Sequence, residues 1–522
     1  MADLPKGLGS MKELLNRVKD AKKTWNLWRS MYQEAFDFAA PMRQTFHYYS
    51  PGQRKNRHIF DSTAVNGLEQ FANRIQHSVL PPWRQWMTFE AGSNVPEKEK
   101  KDADTKLQKT TDTFFKYFNH SNFVTEITPA LSDYGIGTGA ILIEEGVFGP
   151  DEPFKFSNVP LAELYIEDID NVWREQEIAC GKIQQNWPEA DIPTSIADMV
   201  KNDPLKKIKL INGMAYDAKE KIYYHHIVYE KEETLLFIQA FKTRRLILFR
   251  WHLTPGEVYG RGPILQVMSD IRTLNKVKEL TLQNAAIQMV GLYTGINDGI
   301  FNPNTVKVVP GAIIPVGQNG NQNPSLQALP RAGDLGLGSF IIEDMQTNVR
   351  KALFVEPLGD ISDPVRSATE IMIRNQEMLK QAGAALGRLK TELIEPLVSA
   401  CVEILGVRGV IAPIVLDGKE TTLKQTSPLA AAEDQEDFQN SQVWFNSVMQ
   451  LGQLLGPAAV LGTVKIEDLP GYWASKLGVP EDLIRSKAER DALEAEAKEA
   501  AQAQIGMEEG GGGQQAQQQQ PV

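Results

Sequence analysis

Pro255-Gly256-Glu257-Val258-Tyr259-Gly260-Arg261-Gly262-Pro263 opens a run that reaches Tyr293 without another proline. The glycines and flanking prolines make the first part a turn, and Pro263 suits a first helical position because its missing N–H would have no partner there. Ile264, Val267, Met268, Ile271, Leu274 and Val277 then recur along one side. This spacing predicts a single helix over 263–293, about 31 residues and roughly 46 Å long. Ile341, Ile342, Met345, Val349 and Leu353 predict a second helix over 338–353. Between them, 294–337 is rich in proline and glycine, with β-type runs at Thr305 to Val309 and Ala312 to Val316, and reads as a compact β excursion between helices.

Toward the C-terminus, 354–366 is a loop with Pro357, Gly359, Asp363 and Pro364. Asp363 or the Ser367-x-x-Glu370 box can open a long helix through Met378, Leu386, Leu393 and Ile404, bent by Pro396, within 367–426. Beyond Ser427-Pro428 more helix is expected in 427–504, including Phe438 to Leu455 and a charged segment from Pro480 to about Gln504. The Gly/Gln stretch 505–522 has little with which to bury a core.

Toward the N-terminus, 1–262 begins with an amphipathic helix from Met11 to about Ala40, in which Leu14, Val18, Ala21, Trp25 and Trp28 alternate with lysines and arginines. A basic face beside tryptophans can mark a membrane or calmodulin-type helix. The favoured reading packs the tryptophans on the protein body and leaves the lysines solvated. A second helix is expected from Asp61, capped by Asp61 or Ser62, to the breaker pair Pro81-Pro82, with Trp83 and Trp86 as core anchors. Ala130 to about Tyr259 reads as mixed β, with runs at Ala140 to Ile143, Ile222 to Tyr229 and Leu246 to Trp251. The fold class is therefore α+β, predominantly helical.

With 522 residues and 42% hydrophobic content, the chain should form two to four folding units at roughly 100 to 200 residues each. A formal net charge of -11 argues against gripping nucleic acid through global charge. Cys180 and Cys401 are too few for a disulfide framework, which fits a reducing compartment. No apolar run reaches membrane-spanning length and no signal-peptide core is read, so a soluble, unexported protein without membrane contact is expected.

Chemistry is harder to find. Gly418-Lys419 is followed by Glu420, so the hydroxyl of a phosphate-binding loop is missing. Gly135-Ile136-Gly137-Thr138-Gly139-Ala140 fits the loose dinucleotide fingerprint but leads into a β run, leaving no helix N-terminus for a pyrophosphate. His225 and His226 should face opposite sides of a strand. Glu167-Asp168-Ile169-Asp170 reads as a solvated turn or an oligomer contact in preference to a metal site. No catalytic residue, metal or cofactor is assigned, and no enzyme activity is expected. The apolar stripes of the elongated helical unit need neighbours, and identical copies closing around an axis would supply them.

The chain resembles the portal, or head-to-tail connector, proteins of short-tailed double-stranded DNA bacteriophages. The resemblance rests on Asp61-Ser62-Thr63-Ala64 with Pro81-Pro82-Trp83-x-x-Trp86, on Pro255 to Pro263, on Ser367-Ala368-Thr369-Glu370-Ile371 with Arg374 and Glu377, and on Ser427-Pro428-Leu429-Ala430. It spans about Thr24 to about Ala500. It implies an elongated subunit of a dodecameric ring around a DNA channel at one capsid vertex, with 1–262 as wing, 263–293 and 338–353 as stem, and 294–337 as clip. By the same resemblance 354–366 is a tunnel loop, 367–426 the long kinked wing helix and its return, 427–504 the crown and 505–522 a flexible tail.

In the tunnel loop Glu356, Asp360 and Asp363 oppose the single Arg366, so weak, sequence-independent contacts with duplex DNA are expected. The alternative makes Asp363 a helix cap and Arg366 the partner of a neighbouring subunit. Phe301, Asn304, Lys307, Asn319 and Asn321 of the clip would meet the terminase large subunit and later the tail adaptor and nozzle proteins. Arg272, Lys276, Arg350 and Lys351 are the stem candidates. The major capsid protein, scaffolding protein and internal core proteins complete the implied partners, in the virion and, during assembly, in the host cytoplasm. Competing readings are a tail adaptor or baseplate ring, and a metal-dependent nuclease built on acidic clusters.

Overall fold

The computed structural model describes residues 4–43, 46, 52–146, 152–290, 293–295, 326–328, 335–355, 383–455, 464–465 and 469–477. Their contacts divide the chain into a unit spanning Met1–Lys424 and another spanning Gln425–Val522. Helices and strands are mixed, as an α+β fold requires.

The first unit opens with α1 (Met11–Ala39), started by a capping box in which Ser10 and Glu13 satisfy each other's backbone N–H groups. α2 (Thr63–Val79) follows, and its first N–H is held by the Asp61 carboxylate at 2.9 Å, whereas Ser62 makes no side-chain cap. β1 (Met87–Ala91), α3 (Glu97–Asn119) and α4 (Phe123–Ile136) lead to β2 (Thr138–Glu145) and β3 (Phe154–Asn158). Trp86 sits edge-on to Phe115 and Phe118 in an aromatic core with Phe114, Phe123 and Phe156. Trp83 departs from expectation: it is 72% exposed and lies against His77, because the turn after Pro81-Pro82 directs only Trp86 inward.

β4 (Leu164–Ile166) and β5 (Val172–Ala179) precede two short helices, α5 (Ile183–Asn186) and α6 (Thr194–Asn202). β6 (Lys207–Asp217), β7 (Ile222–Tyr229) and β8 (Thr234–Phe241) complete an antiparallel five-stranded sheet in order β4-β5-β6-β7-β8. Alternation along these strands sends Ile211, Val228 and Leu235 to one face, where Leu14, Leu15, Val18 and Ala21 of α1 cover them. Leu210, Ile227 and Leu236 point to the other face, against Ile183, Trp187 and Ile196. The tryptophan side of α1 therefore packs inward, but its cations are not all solvated. Arg17 bonds Glu167 at 2.6 Å, and Lys22 bonds Glu175 at 2.8 Å.

β9 (Leu246–Arg250) pairs with β2 from Thr138↔Arg250 to Leu142↔Leu246, giving a three-stranded sheet β3-β2-β9. The expected single helix over 263–293 is two helices, α7 (Pro263–Gln266) and α8 (Met268–Val290), parted at Val267, whose φ of -106° and ψ of 19° leave the helical region. β10 (Tyr293–Gly295) and β11 (Leu326–Ala328) pair antiparallel, and α9 (Leu335–Ala352) starts three residues before the expected helix. The β runs expected at Thr305 to Val309 and Ala312 to Val316 lie outside the described residues.

α10 (Gly383–Leu389) passes through one π-helical turn, Lys390–Ile394, into α11 (Glu395–Val407). The turn lies where Pro396 would crowd the carbonyl of Glu392, four residues back, so the wider winding accommodates the proline expected to bend this helix. β12 (Thr421–Gln425) pairs with β1. In the second unit, α12 (Pro428–Leu455) packs on α13 (Leu469–Lys476) through Phe438, Phe445 and Trp473. The Trp473 indole donates to Ser441 at 2.9 Å, and Lys476 bonds both Asp434 and Asp437 at 2.8 Å. The segment from Pro480 to Gln504 lies outside the described residues.

Candidate functional site

The Gly-rich turn before α7 is a junction. Tyr259 is fully buried, accepts from the Ile166 N–H at 3.1 Å and donates to the Leu164 carbonyl at 3.0 Å, fixing the turn to β4. Its ring lies 5.1 Å from Trp25 of α1, and desolvation pushes its hydroxyl pKa above the ordinary tyrosine range. A Cβ on Gly137 would lie 2.3 Å from the Gly260 carbonyl, and one on Gly262 the same distance from the Gly135 carbonyl. The two glycine-rich stretches thus press backbone on backbone, stitched by Gly262 N–H to Ile136 O and Gly260 N–H to Thr138 Oγ1, each 2.8 Å. The dinucleotide-like pattern at Gly135 to Ala140 is explained by this close approach and by its entry into β2.

From that junction α8 and α9 run side by side. A Cβ on Gly338 would lie 3.2 Å from Thr281, while Asn275 and Gln346 both reach the turn at Asp61, so the two helices are antiparallel. Asn275 accepts from the N–H groups of Phe60 and Asp61 at 2.7 and 3.2 Å and donates to His58 O at 2.9 Å. Gln346 donates to Asp61 at 2.7 Å. At the end of α9, Leu353 is fully buried against Gly67, where a Cβ would meet it at 2.7 Å. Arg74 donates to the carbonyl of Phe354, a residue at φ 57°, whose ring lies 5.7 Å from Trp251.

Among the expected stem residues, Arg272 bonds Glu34 of α1 at 3.2 Å and Lys276 bonds Glu279 at 3.0 Å, both at the surface. Arg350 is half-buried and Lys351 exposed at the end of α9. Asn275, Gln346 and Arg74, which seat the helix pair, carry no periodic signal in the sequence; Asp61 is marked there as a cap and as the head of the Asp61-Ser62-Thr63-Ala64 block. Ile264, Met268, Ile271 and Leu274 are covered by the first unit itself, whereas Leu280, Leu282 and Phe340 farther along the pair are 50%, 51% and 71% exposed. Glu356, Asp360, Asp363 and Arg366, like Phe301, Asn304, Lys307, Asn319 and Asn321, lie outside the described residues.

A second anchor is buried. Arg250 and Glu392 form an ion pair at 2.7 Å with both side chains 8% exposed, tying the π-helical turn to β9. His225 bonds Asn212 at 2.7 Å on one face of the five-stranded sheet, and His226 accepts from the Trp173 indole at 3.1 Å on the other. Burial lowers their pKa values to about 4 and about 3, so both are neutral sheet residues at neutral pH. Glu167 pairs with Arg17 and Asp170 with Arg244, while Asp168 accepts from Asn171 and the backbone of its own turn. No group of three or more potential metal ligands occurs among the described residues, and no described helix is long and apolar enough to cross a membrane.

The chain is 20% identical over 501 residues to a probable portal protein of Bordetella phage BPP-1, covering 91% of this chain and 88% of that protein. The family model for bacteriophage head to tail connecting proteins matches residues 11–484, nearly all of the sequence, and the chain therefore belongs to that family.

Proposed function

We propose that the chain is the portal subunit of a phage: a dodecameric ring at a single capsid vertex that nucleates procapsid assembly and passes double-stranded DNA inward and outward. In this reading 1–262 with 367–426 forms the wing, 263–293 and 338–353 the stem, 294–337 the clip, 354–366 the tunnel loop and 427–504 the crown. The observation that carries it is the exposure of Leu280, Leu282 and Phe340 on the far part of the helix pair, a surface that an adjacent copy would cover. Burying one such side chain is worth about 1.5–3 kcal/mol, and a closed ring repeats the gain at every interface.

The clip would dock the terminase large subunit and then the tail adaptor and nozzle proteins. The capsid, scaffolding and internal core proteins would meet the outer surfaces. The role is structural, with sequence-independent DNA contacts at Glu356, Asp360, Asp363 and Arg366. Imaging of the purified protein should show closed rings with an axial hole wide enough for duplex DNA, and a solitary subunit in solution and in particles would refute the proposal. Deleting 357–363 should impair packaging or genome retention while rings still form. The protein should co-purify with DNA-filled heads as well as tails, whereas an adaptor would follow completed tails alone. Incubation with DNA, ATP and magnesium should leave both substrates intact.

A further inference from the structure

The end of α6, the start of β6 and the end of β7 enclose a cleft of about 390 Å³ lined by Met199, Lys206, Lys207, Ile208, Lys209 and Tyr229, closed by Glu230 and Lys231. Its floor is apolar: Ile208 is 7% exposed, Tyr229 is 4% exposed, and Met199 is half-buried. The wall is cationic in a protein whose net charge is -11.

Of the nearby carboxylates, Glu175, Glu230 and Glu232 are matched, and the exposed Glu177 stands opposite Lys209 in the β5–β6 register. Lys22 bonds Glu175 at 2.8 Å and Glu230 at 3.3 Å, Lys209 bonds Glu175 at 3.1 Å, and Glu232 accepts from Ser195 at 2.7 Å. Lys206, Lys207 and Lys231 are exposed and, among the described residues, make no ion pair. Three cations without partners thus surround an apolar floor.

We infer that this cleft docks an acidic segment of a partner protein that inserts one apolar side chain onto Ile208 and Tyr229 while flanking carboxylates meet Lys206, Lys207 and Lys231. Duplex DNA fits poorly, because its convex rows of phosphates have no apolar group to place on the floor. The wall also lacks arginine, the residue best shaped for bidentate phosphate contacts. At physiological salt the field of the lysines reaches only about 8 Å, so the acidic groups must be adjacent to the anchor in the partner's sequence.

The test uses the full-length assembled protein and fluorescence anisotropy with a labelled short peptide in which one phenylalanine is flanked by glutamates. Saturable binding is expected, weakened about tenfold by the combined Lys206→Glu, Lys207→Glu and Lys231→Glu substitutions and progressively by added salt. Replacing the peptide's phenylalanine with serine should also cost about tenfold. The corresponding lysine-to-alanine variant, with unchanged melting temperature and assembly size, should show the same loss in smaller degree. Absence of saturable binding, equal affinity for the serine peptide, or affinity untouched by the substitutions would overturn the inference. Short duplex DNA that binds tightly and is lost with the same lysines would overturn it too, assigning the patch to nucleic acid.

Discussion

Glu392 carries a carboxylate into a site 8% exposed and meets Arg250 through the side-chain bond at 2.7 Å and the Arg250 backbone N–H at 2.9 Å. Removing one partner strands the other charge. Glu392→Ala should cost about 3–5 kcal/mol in denaturant unfolding, whereas an apolar replacement of both residues should recover most of the loss. The tryptophans give a sharper contrast. Trp86→Ala should cost about 3–5 kcal/mol, and Trp83→Ala should stay within about 0.5 kcal/mol. Sequence could not separate them, since both follow the same proline pair and only the direction of the turn assigns one to the core. Acid sensitivity also follows from buried groups. His225 and His226 have pKa values lowered from 6.5 to about 4 and about 3, so below about pH 6.5 the unfolded chain binds protons that the folded chain refuses. Their contribution is complete above 6.5 and falls toward pH 4, by up to about 1.4 kcal/mol per pH unit for each histidine. Asp133, raised from 3.8 to about 7 by burial despite Arg43, works in the opposite direction: its contribution is complete below 3.8 and lost as pH rises through about 7. Asp133→Asn should therefore steepen the fall in stability between about pH 6.5 and about pH 4, as read by urea unfolding across that range.

Gly137 faces Gly260, and Gly262 faces the backbone of Gly135 and Ile136, in a contact that leaves little space for side chains. Gly260→Ala would set a Cβ 2.3 Å from the Gly137 carbonyl and 2.9 Å from the Arg250 side chain, so β2 and the turn before α7 must separate. A loss of about 3 kcal/mol or more is expected, measured as a lowered unfolding midpoint or failure to yield soluble protein. The glycines were visible as turn residues, and the loose nucleotide pattern was rejected on the strand behind it. Their true partner was not visible, because more than a hundred intervening residues must fold before the two stretches meet. Helices were legible where a stripe is long, as in α1 and α9. The break at Val267 was hidden because the apolar spacing continues across it, and Pro396 announced a bend without showing that a π-helical turn would absorb it. Strands β7 and β9 were read almost residue for residue, since β-branched and aromatic runs bounded by turn residues leave little choice.

Apolar stripes in need of neighbours are the ground for the proposed assembly, and the apolar side chains left exposed lie on a different part of the helix pair from the one the spacing marks. The stripe from Ile264 to Leu274 is satisfied within the chain, while Leu280, Leu282 and Phe340 are left to solvent. The combined Leu280→Glu and Phe340→Glu variant should remain folded, with an unchanged far-ultraviolet spectrum, yet sediment as a single subunit. Persistence of full-size particles would remove this surface from the interface. Charge cannot substitute for that contact, because a net -11 makes like copies repel until apolar burial outweighs it. Asp61 adds a mechanical constraint: its backbone N–H holds Asn275, its carboxylate holds Gln346 and the same carboxylate starts α2. The two shafts consequently share one footing. A push along either is delivered to a single short bend at the head of α2, so tilting one shaft without the other first requires that footing to let go.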